Sequence, residues 1–351
     1  MKTIKLIEPK LNKQTEELQL FQDLKSTQEQ EDSSKFLKDS LNHFKWDDLK
    51  ISSNDRTIPK PITFSWKHTS DSTSLIYELH LATNKNLTNK QIFKTDSKTS
   101  YSVINLLVGT EYFWQVIALK HEAIIAKSHI WSFSTHPKPP RWIYVPGMTN
   151  VRDIGGWTLP NGNKIKQSII FRSSEMNSHL NITKEGHRVL LDELKIKTDI
   201  DLRGETEECQ AVLDTNKVKW INLPILPYQG IIDKNSKENY SKIFKIFANS
   251  KNYPILFHCW GGCDRAGTVA FLLNALLGLS IENLIKDYEL STFTIWGERS
   301  HLSDWFQALL ITLQQITPNK NINIQVEEYL KSIGITEKEI ISIRNNLIHI
   351  Q

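Results

Sequence analysis

Apolar residues change their spacing along the chain, and the change predicts three regions. In residues 1–57, Leu18, Phe21 and Leu24 recur at helical spacing within a stretch rich in Gln, Glu, Lys and Ser. This region is predicted to be a polar leader that is either flexible or partly helical. Over residues 58–136 the period becomes two, as in residues 75–81 and 112–118. Short alternating segments between polar turns are typical of a β-sandwich.

The third region, residues 137–351, mixes the two periods. It follows a proline-rich stretch at 136–140, which predicts a stiff linker. Predicted strands alternate here with predicted helices, and a capping box at Thr336 and Glu339 is predicted to open the last helix. The strands are at 169–171, 198–202 and 220–223, and the helices at 183–194 and 240–248. The alternation favours a parallel α/β sheet, which binds ligands at the carboxyl ends of its strands.

One segment of this region places reactive side chains between a predicted strand and a predicted helix. The apolar strand 253–257 precedes the run His258-Cys259-Trp260-Gly261-Gly262-Cys263-Asp264-Arg265-Ala266-Gly267-Thr268. Residues 266–277 are apolar nearly all round and predict a buried helix that Gly278 stops. Such a glycine loop turns backbone N–H groups inward at the positive end of a helix and forms an anion nest.

The side chains in the loop indicate phosphoryl transfer. The nest lowers the pKa of a thiol held in it and so favours the thiolate. Arg265 presents a planar guanidinium that can bind two phosphate oxygens. We therefore expect Cys259 to attack phosphorus and form a phosphocysteine that water hydrolyses. The rest of the predicted loop is Trp260, Gly261, Gly262, Cys263, Ala266 and Gly267. The nest and the arginine supply the positive charge, so neither a metal nor another cofactor is expected.

The loop resembles that of the cysteine-dependent phosphatases, which carry Cys, five residues and Arg. Its HCxxGxDRxG form is similar to the atypical bacterial tyrosine and dual-specificity phosphatases. Further blocks that resemble this branch are residues 150–156, 171–174, 201–203 with Glu207, and 287–291. The resemblance implies a protein-tyrosine or dual-specificity phosphatase with Asp264 as general acid. Alternatively, Asp264 pairs with Arg265 or Arg152 and only orders the loop, and the acid is Asp214 or Asp233.

Two positions depart from that family. Cys263 stands where a lysine is frequent, so activity on phosphoinositides or inositol phosphates, the alternative substrates, is less favoured. Cys263 either forms a reversible disulfide with Cys259 or only fills space. Ala266 lacks the hydroxyl that assists the second step, and Thr268 either replaces it or caps the helix. A slow second step leaves a weakly catalytic phosphoprotein-binding module as a further alternative.

Five residues have supporting roles in this interpretation: His258, Thr268, Arg152, Asp153 and Arg203. His258 either donates a hydrogen bond that orders the loop behind Cys259 or is a plain core histidine. Arg152, Asp153 and Arg203 either hold the loop or meet substrate, or they form an ordinary ion-pair network. Trp260 either lines the pocket, where it stacks on an aryl phosphate, or packs beside the loop.

The second region also carries a resemblance. Residues 106–112 look like the L-x-P-G-T-x-Y corner of fibronectin type III domains, with Val108 where proline is usual. Trp66 and Trp131 agree with that fold. The fold class expected is therefore a multidomain chain, an all-β fibronectin III-like sandwich followed by an α/β cysteine-phosphatase domain. The sandwich is expected to be a scaffold or to bind a protein or carbohydrate partner.

Composition narrows the function classes. Lys and Arg total 43 against 39 Asp and Glu, a net charge of +4, which argues against nucleic-acid binding. The 3 cysteines argue against a disulfide framework, and no zinc-ligand spacing is present. The partner expected is a phosphorylated protein or a small phosphoester. The chain shows no signal-peptide pattern and no apolar stretch that could span a bilayer, so a cytoplasmic location is expected, or secretion if a signal peptide was removed.

Overall fold

The computed structural model describes residues 3–15, 55–69, 75–207 and 209–350, which divide into two compact units. The first unit contains the described residues of Met1–Gln22 and Pro59–Pro139. The second contains those of Asp23–Ile58 and Pro140–Gln351. The helical spacing predicted around Leu18, Phe21 and Leu24 lies outside the described residues.

The first unit is built from strands in two sheets. Their bounds are β1 Ile4–Glu8, β2 Lys13–Gln14, β3 Ile62–His68, β4 Ile76–Ala82, β5 Gln91–Asp96, β6 Ser100–Val103, β7 Glu111–Lys120, β8 Ala123–Lys127 and β9 Trp131–Ser134. One sheet has the order β1-β3-β6, and the other has the order β2-β9-β7-β4-β5 with β8 beside β7. The strands predicted at 75–81 and 112–118 are confirmed as β4 and β7, an antiparallel pair.

Both sheets contribute to one hydrophobic core. Phe64 on β3 packs edge-on against Trp114 on β7, with ring centroids 5.0 Å apart, and against Phe133 on β9 at 5.5 Å. All three side chains are fully buried. Because β3 belongs to one sheet and β7 and β9 to the other, these aromatic contacts join the two sheets of the unit.

The first residues of the chain correct the expectation of a separate polar leader over 1–57. β1 pairs antiparallel with β3, and β2 pairs with β9. Ile4 and Leu6 alternate with Lys5, and this short period-two pattern buries both apolar side chains. At the other end of the stretch, the Arg56 N–H donates to the Phe293 carbonyl at 3.2 Å, so this residue is bonded within the second unit.

A mainly parallel sheet forms the centre of the second unit. Its strands, and those of a small separate ribbon, are β10 Arg152–Asp153, β11 Lys164–Ile165, β12 Ile170–Ser173, β13 Thr198–Asp201, β14 Lys219–Asn222, β15 Ile255–His258 and β16 Ile348–His349. The sheet order is β10-β12-β15-β13-β14, in which only β10 runs antiparallel to its neighbour, and β11 pairs with β16. The predicted parallel α/β arrangement is thus confirmed for the described part of this unit.

Helices surround this sheet. They are α1 Lys184–Arg188, α2 Lys234–Ala248, α3 Arg265–Leu276, α4 Ile281–Glu289, α5 Asp304–Ile316, α6 Ile322–Ser332 and α7 Glu337–Leu347. The helix predicted at 240–248 begins earlier, because Asp233 caps it by accepting from the Ser236 N–H. The predicted capping box of Thr336 and Glu339 is confirmed. Within the described residues, no helix combines the length and apolar character needed to cross a membrane.

The position of β15 fixes the candidate site. All four residues of β15 are buried, and Ser173, His258 and Asp201 occupy one row across β12, β15 and β13. α3 follows within seven residues and is buried on all sides, as its apolar sequence predicted. The connection 259–264 therefore begins at the carboxyl end of the central strand, where parallel sheets bind ligands.

Candidate active site

Protein groups outside the Cys259–Asp264 loop hold its backbone carbonyls. The bonds are Glu175 N–H to Trp260 O (2.9 Å), Asn150 Nδ2 to Gly261 O (3.0 Å), Arg172 Nη2 to Gly262 O (2.6 Å) and Cys263 O (3.4 Å), and Thr268 N–H to Asp264 O (2.7 Å). In the described part of the chain, the backbone N–H groups of residues 260–264 donate to no protein acceptor. With its carbonyls fixed, the loop presents these N–H groups as a set of donors beside the N-terminus of α3, an arrangement suited to an anion.

Gly262 permits the loop to lie close to β12. Its φ is +70°, and a Cβ there would come within 2.5 Å of the Ser173 carbonyl. A side chain at this position is excluded both by the backbone conformation and by the neighbouring strand. Gly261 is also crowded, since a Cβ would lie 3.0 Å from the Trp296 ring.

Two buried arginines and one carboxylate support the loop from behind. Asp287 accepts from Arg152 Nε at 3.0 Å and from Arg172 Nη1 at 2.7 Å. Arg152 also donates to the Asn150 side-chain oxygen, which orients the Asn150 amide toward Gly261. Arg152 is fully buried in this network, so the structure places it behind the loop. Burial raises the pKa of Asp287, but the two arginines outweigh it and hold the pKa below its ordinary value.

Arg265, the first residue of α3, is paired with Glu207. Its Nη2 donates to Glu207 Oε1 at 2.7 Å, and its Nη1 donates to Oε2 at 2.5 Å. Burial lowers the pKa of Arg265, but the bonds to Glu207 and the charge of Cys259 raise it above its ordinary value overall. The guanidinium therefore stays charged beside Cys259, whose side chain is buried.

Asp264 does not pair with Arg265 or Arg152, the two partners considered from the sequence. Its Oδ1 accepts from Arg299 Nε at 2.8 Å, and its Oδ2 accepts from Arg299 Nη2 at 2.9 Å. The Tyr228 hydroxyl donates to Oδ1 as well. About a third of the Asp264 side chain (37%) remains exposed, so the carboxyl lies at the mouth of the loop.

The Thr268 hydroxyl makes two hydrogen bonds within the protein, near the start of α3. Its hydroxyl donates to the Asp264 carbonyl at 2.9 Å and accepts from the Tyr228 N–H at 3.1 Å. This is a bond back to the carbonyl four residues earlier and not a cap, because the hydroxyl accepts from no N–H of the first turn of α3. Ala266 is fully buried in the first turn of α3.

Cys263 faces the interior behind the loop. Its Sγ donates to the Gly261 carbonyl at 3.3 Å and accepts from Asn150 Nδ2 at 3.4 Å. Burial raises the pKa of the Cys263 thiol to about 11, although the Arg299 charge acts in the opposite direction. All three cysteines are free thiols.

His258 differs from the expectation that it donates to the loop. Its ring faces the carboxylates of β13, with Nε2 3.2 Å from Asp199 Oδ1 and Nδ1 3.9 Å from Asp201 Oδ1. Burial lowers the pKa of His258, but Asp201 and Asp199 raise it above its ordinary value overall. The correction follows from the sheet: Asp201 lies in the same row as His258 and Asp199 lies two residues earlier on the same strand, so the three side chains lie on one face of the sheet.

The other predicted supporting residues belong to separate ion pairs. Asp153 accepts from Arg141 Nη1 at 3.1 Å. Arg203 Nη2 donates to Asp201 at 2.8 Å, and its Nη1 donates to Glu175 at 3.1 Å. Glu175 also binds the loop through its N–H, so Arg203 supports the loop indirectly. The side-chain bonds of Asp153 within the described residues are to Arg141, Gly155 and Ser168, not to the loop.

The two alternative acids lie in local turns. Asp214 is exposed and accepts from the Asn216 N–H at 3.0 Å. Asp233 caps α2 through Ser236, and that hydrogen bond lowers its pKa. Neither carboxylate is bonded to the Cys259–Asp264 loop in the described structure.

Aromatic rings border the loop on one side. Trp260 is 41% exposed and stacks on His179, with centroids 4.4 Å apart. Trp296 approaches Trp260 edge-on at 6.1 Å. Trp260 thus keeps one part of its ring open to solvent next to Cys259. No group of three or more His, Cys, Asp or Glu in the described residues is arranged to hold a metal ion.

Comparison with known proteins places most of the second unit in one family. A model of the tyrosine phosphatase family matches residues 143–349. The tyrosine-protein phosphatase of Nostoc commune is 24% identical over 136 residues, covering 32% of this chain and 46% of that protein. A relative from Cupriavidus necator is 24% identical over 167 residues, covering 40% and 59%. The chain thus spans about half the length of the curated relatives it matches.

Among solved structures, the core catalytic domain of the PP-IP phosphatase of S. cerevisiae, in complex with citrate, is similar at 20% identity. The match covers 43% of this chain and 92% of that one, with a TM-score of 0.30.

Proposed function

The chain belongs to the tyrosine phosphatase family, and on that premise we propose that it is a phosphomonoesterase that works through a phosphocysteine. The observation that carries the proposal is the loop in which every carbonyl of residues 260–264 is held by protein donors, while the N–H groups of the same residues have no acceptor among the residues that the structure describes. Cys259 begins this loop and Arg265 follows it, so a bound phosphate meets a nucleophile and a cation together.

In the first step, the Cys259 thiolate forms a bond to phosphorus as the ester P–O bond breaks. The loop N–H groups and Arg265 stabilise charge on the three equatorial oxygens. The leaving oxygen takes a proton from Asp264, whose carboxyl lies at the mouth of the same loop. In the second step, water attacks phosphorus and the thiolate leaves. Thr268 is already bonded to Asp264 and Tyr228, which supports a slow second step.

The favoured substrate is a phosphotyrosine or another phosphorylated protein side chain. The exposed ring of Trp260 beside Cys259 can stack on an aryl group, and Cys263 adds no cation for a second phosphate. An inositol phosphate is the alternative substrate. The engagement of Asp264 by Arg299 favours a second candidate function, a phosphoprotein-binding module with weak turnover.

The first unit is part of the proposal as a fibronectin type III-like sandwich. In the corner at 106–112, the Tyr112 hydroxyl accepts from the Leu107 N–H at 2.9 Å. This bond resembles the tyrosine corner of such sandwiches, which supports the assignment. Its proposed role is a scaffold or a site for a protein or carbohydrate partner.

The test is phosphate release from a phosphotyrosine peptide, a phosphoserine peptide and an inositol phosphate, with a chelator present. Wild type is compared with Cys259→Ser and with Cys209→Ser, a matched change at a partly buried thiol outside the loop. Turnover that only Cys259→Ser abolishes, with a radiolabelled phosphocysteine trapped in acid, supports the mechanism. Phosphopeptide binding without turnover favours the binding module. Activity confined to the inositol phosphate would make an inositol phosphate the assigned substrate.

A further inference from the structure

Tyr228 bonds to Asp264 from a segment that precedes the loop in the chain, whereas Arg299 comes from a segment that follows it. Tyr228 begins the turn Tyr228–Ile232, which lies before α2. Its φ is +57°, a left-handed conformation that is costly for a bulky residue. Its N–H donates to Thr268 Oγ1 at 3.1 Å, and its hydroxyl lies 2.7 Å from the Tyr288 hydroxyl. A strained residue persists when its surroundings fix it at several points, and such residues cluster at functional sites.

Arg299 cannot readily turn away from Asp264. Its Nη1 donates to the Trp296 carbonyl at 3.2 Å and to the Glu298 carbonyl at 2.9 Å, so its own segment folds around the guanidinium. The Arg299 N–H also donates to the Thr292 hydroxyl at 2.9 Å. The two bonds from Arg299 to Asp264 are therefore part of a fixed arrangement.

The donors around Asp264 are distributed unequally over its two oxygens. A carboxylate oxygen has about two acceptor sites. Oδ1 accepts from Arg299 Nε and from the Tyr228 hydroxyl, which fills both. Oδ2 accepts only from Arg299 Nη2 among the described residues, which leaves one site on that oxygen. A proton that joins this carboxyl without displacing a donor must therefore bind to Oδ2.

We propose that Tyr228 is a positioning residue for the acid, because its hydroxyl fills Oδ1 and leaves Oδ2 as the oxygen that carries the transferred proton. This inference rests on the proposed function. In the first step, the Oδ2–H bond breaks as the Cys259 sulfur bonds to phosphorus and the ester P–O bond opens. The leaving oxygen receives the proton, and Asp264 returns to a carboxylate held by all three donors.

The experiment replaces Tyr228 by phenylalanine, which removes the hydroxyl and keeps the ring. Two aryl phosphates are compared: phenyl phosphate, whose leaving group needs a proton, and 4-nitrophenyl phosphate, whose leaving group departs as an anion. We measure kcat/KM, which reports the steps through the first phosphoryl transfer. For Tyr228→Phe we expect a loss of about tenfold on phenyl phosphate and less than about twofold on 4-nitrophenyl phosphate, a fraction of the usual general-acid contribution.

Tyr253→Phe is the matched control. Tyr253 is buried and donates its hydroxyl to the Phe247 carbonyl at 2.7 Å, at the amino end of β15 and away from the loop. It should change neither substrate's kcat/KM, and the melting temperatures of the two variants should be similar. In an Asp264→Asn background, Tyr228→Phe should have no further effect on phenyl phosphate, because the residue acts through the acid.

Equal losses on both substrates, or a further loss in the Asp264→Asn background, would overturn the positioning role and leave the proposed phosphatase intact. Unchanged kcat/KM on both substrates would overturn it as well. If wild type turned over neither aryl phosphate and released no phosphate from the peptides or the inositol phosphate, the proposed function would fail, and the inference with it.

Discussion

Arg265 presents one edge of its guanidinium to Glu207, with Nη2 2.7 Å from Oε1 and Nη1 bonded to Oε2. A guanidinium has five N–H donors in one plane, and this pair uses two of them. The Nε–H and the second Nη2–H lie on the other edge, which matches two oxygens of a phosphate. Glu207 therefore orients the cation that the proposed reaction needs.

Replacing Glu207 by glutamine removes one acceptor oxygen and the charge that fixes Arg265. We expect kcat/KM to fall about tenfold, equivalent to about 1.4 kcal/mol, because the Arg265 guanidinium is then free to rotate away from the phosphate. Glu185→Gln, which alters an exposed pair with Arg188, is the control and should leave activity unchanged. Unchanged or higher activity in Glu207→Gln would contradict the orienting role.

Gly262→Ala tests the close approach of the loop to β12. The new Cβ would lie 2.5 Å from the Ser173 carbonyl, so the loop must move and its donor set is disrupted. We expect activity to fall at least about a hundredfold, comparable to the loss of an oxyanion donor. Gly278→Ala is the control, because Gly278 has a similar left-handed φ of +95° but open space around an added Cβ. This variant should lower the free energy of unfolding by roughly 1 kcal/mol and leave activity intact. Equal activity losses in both variants would argue against the steric explanation.

Asp287→Asn should destabilise the second unit. The carboxylate pairs with the buried Arg152 and Arg172, and breaking such a pair leaves buried cations uncompensated. We expect a loss of about 3 kcal/mol in the free energy of unfolding, measured by urea denaturation. Asp214→Asn, at an exposed turn, should change stability little. Since the folded pKa of Asp287 is lowered, its contribution should be present at neutral pH and lost as the pH falls through that value.

His258 should make stability depend on pH in the opposite sense. Its pKa is raised in the folded state by Asp201 and Asp199 against the effect of burial. The stabilisation is then full below the ordinary histidine pKa of about 6.5 and is lost as the pH rises through the folded value. The stability difference between wild type and His258→Gln should shrink as the pH rises above 6.5. A constant difference, or the same trend in a control at the exposed His349, would contradict this assignment.

Cys263 should remain unreactive in the folded protein. With its pKa near 11, the thiolate is scarce at about pH 7.5, and the side chain is buried. Iodoacetamide should label Cys263 only after denaturation, as peptide mass spectrometry can measure. After brief peroxide treatment, we expect no Cys259–Cys263 disulfide. Rapid formation of that disulfide would instead support the reversible redox switch considered from the sequence.

The catalytic loop was predictable because its key residues are neighbours in the chain. Cys259, Asp264 and Arg265 lie within seven positions, so a strand, a glycine loop and a helix bring them together. Their partners come from distant segments: Tyr228 and Arg299 are 36 and 35 residues from Asp264, and Glu207 is 58 from Arg265. Such pairs depend on tertiary packing, which local spacing does not encode.

The errors have local physical causes. The alternation at Ile4 and Leu6 is too short to distinguish a strand from the polar stretch that follows it. Pairing with β3 nevertheless forms the strand and buries both side chains. His258 precedes the nucleophile in sequence, but its side chain faces Asp199 and Asp201 across the sheet. The family resemblance pointed to the blocks containing Arg172 and Asp287 without indicating that they support the loop together.

The shared row of Ser173, His258 and Asp201 has a consequence for insertions and deletions. One residue added within β15 would displace Cys259 by about 3.3 Å and rotate it to the opposite face of the sheet. The turn around Gly162, where a Cβ meets nothing within 4 Å, has no such restriction. Natural length variation and engineered fusions should therefore be tolerated at that turn and absent from the four residues before Cys259.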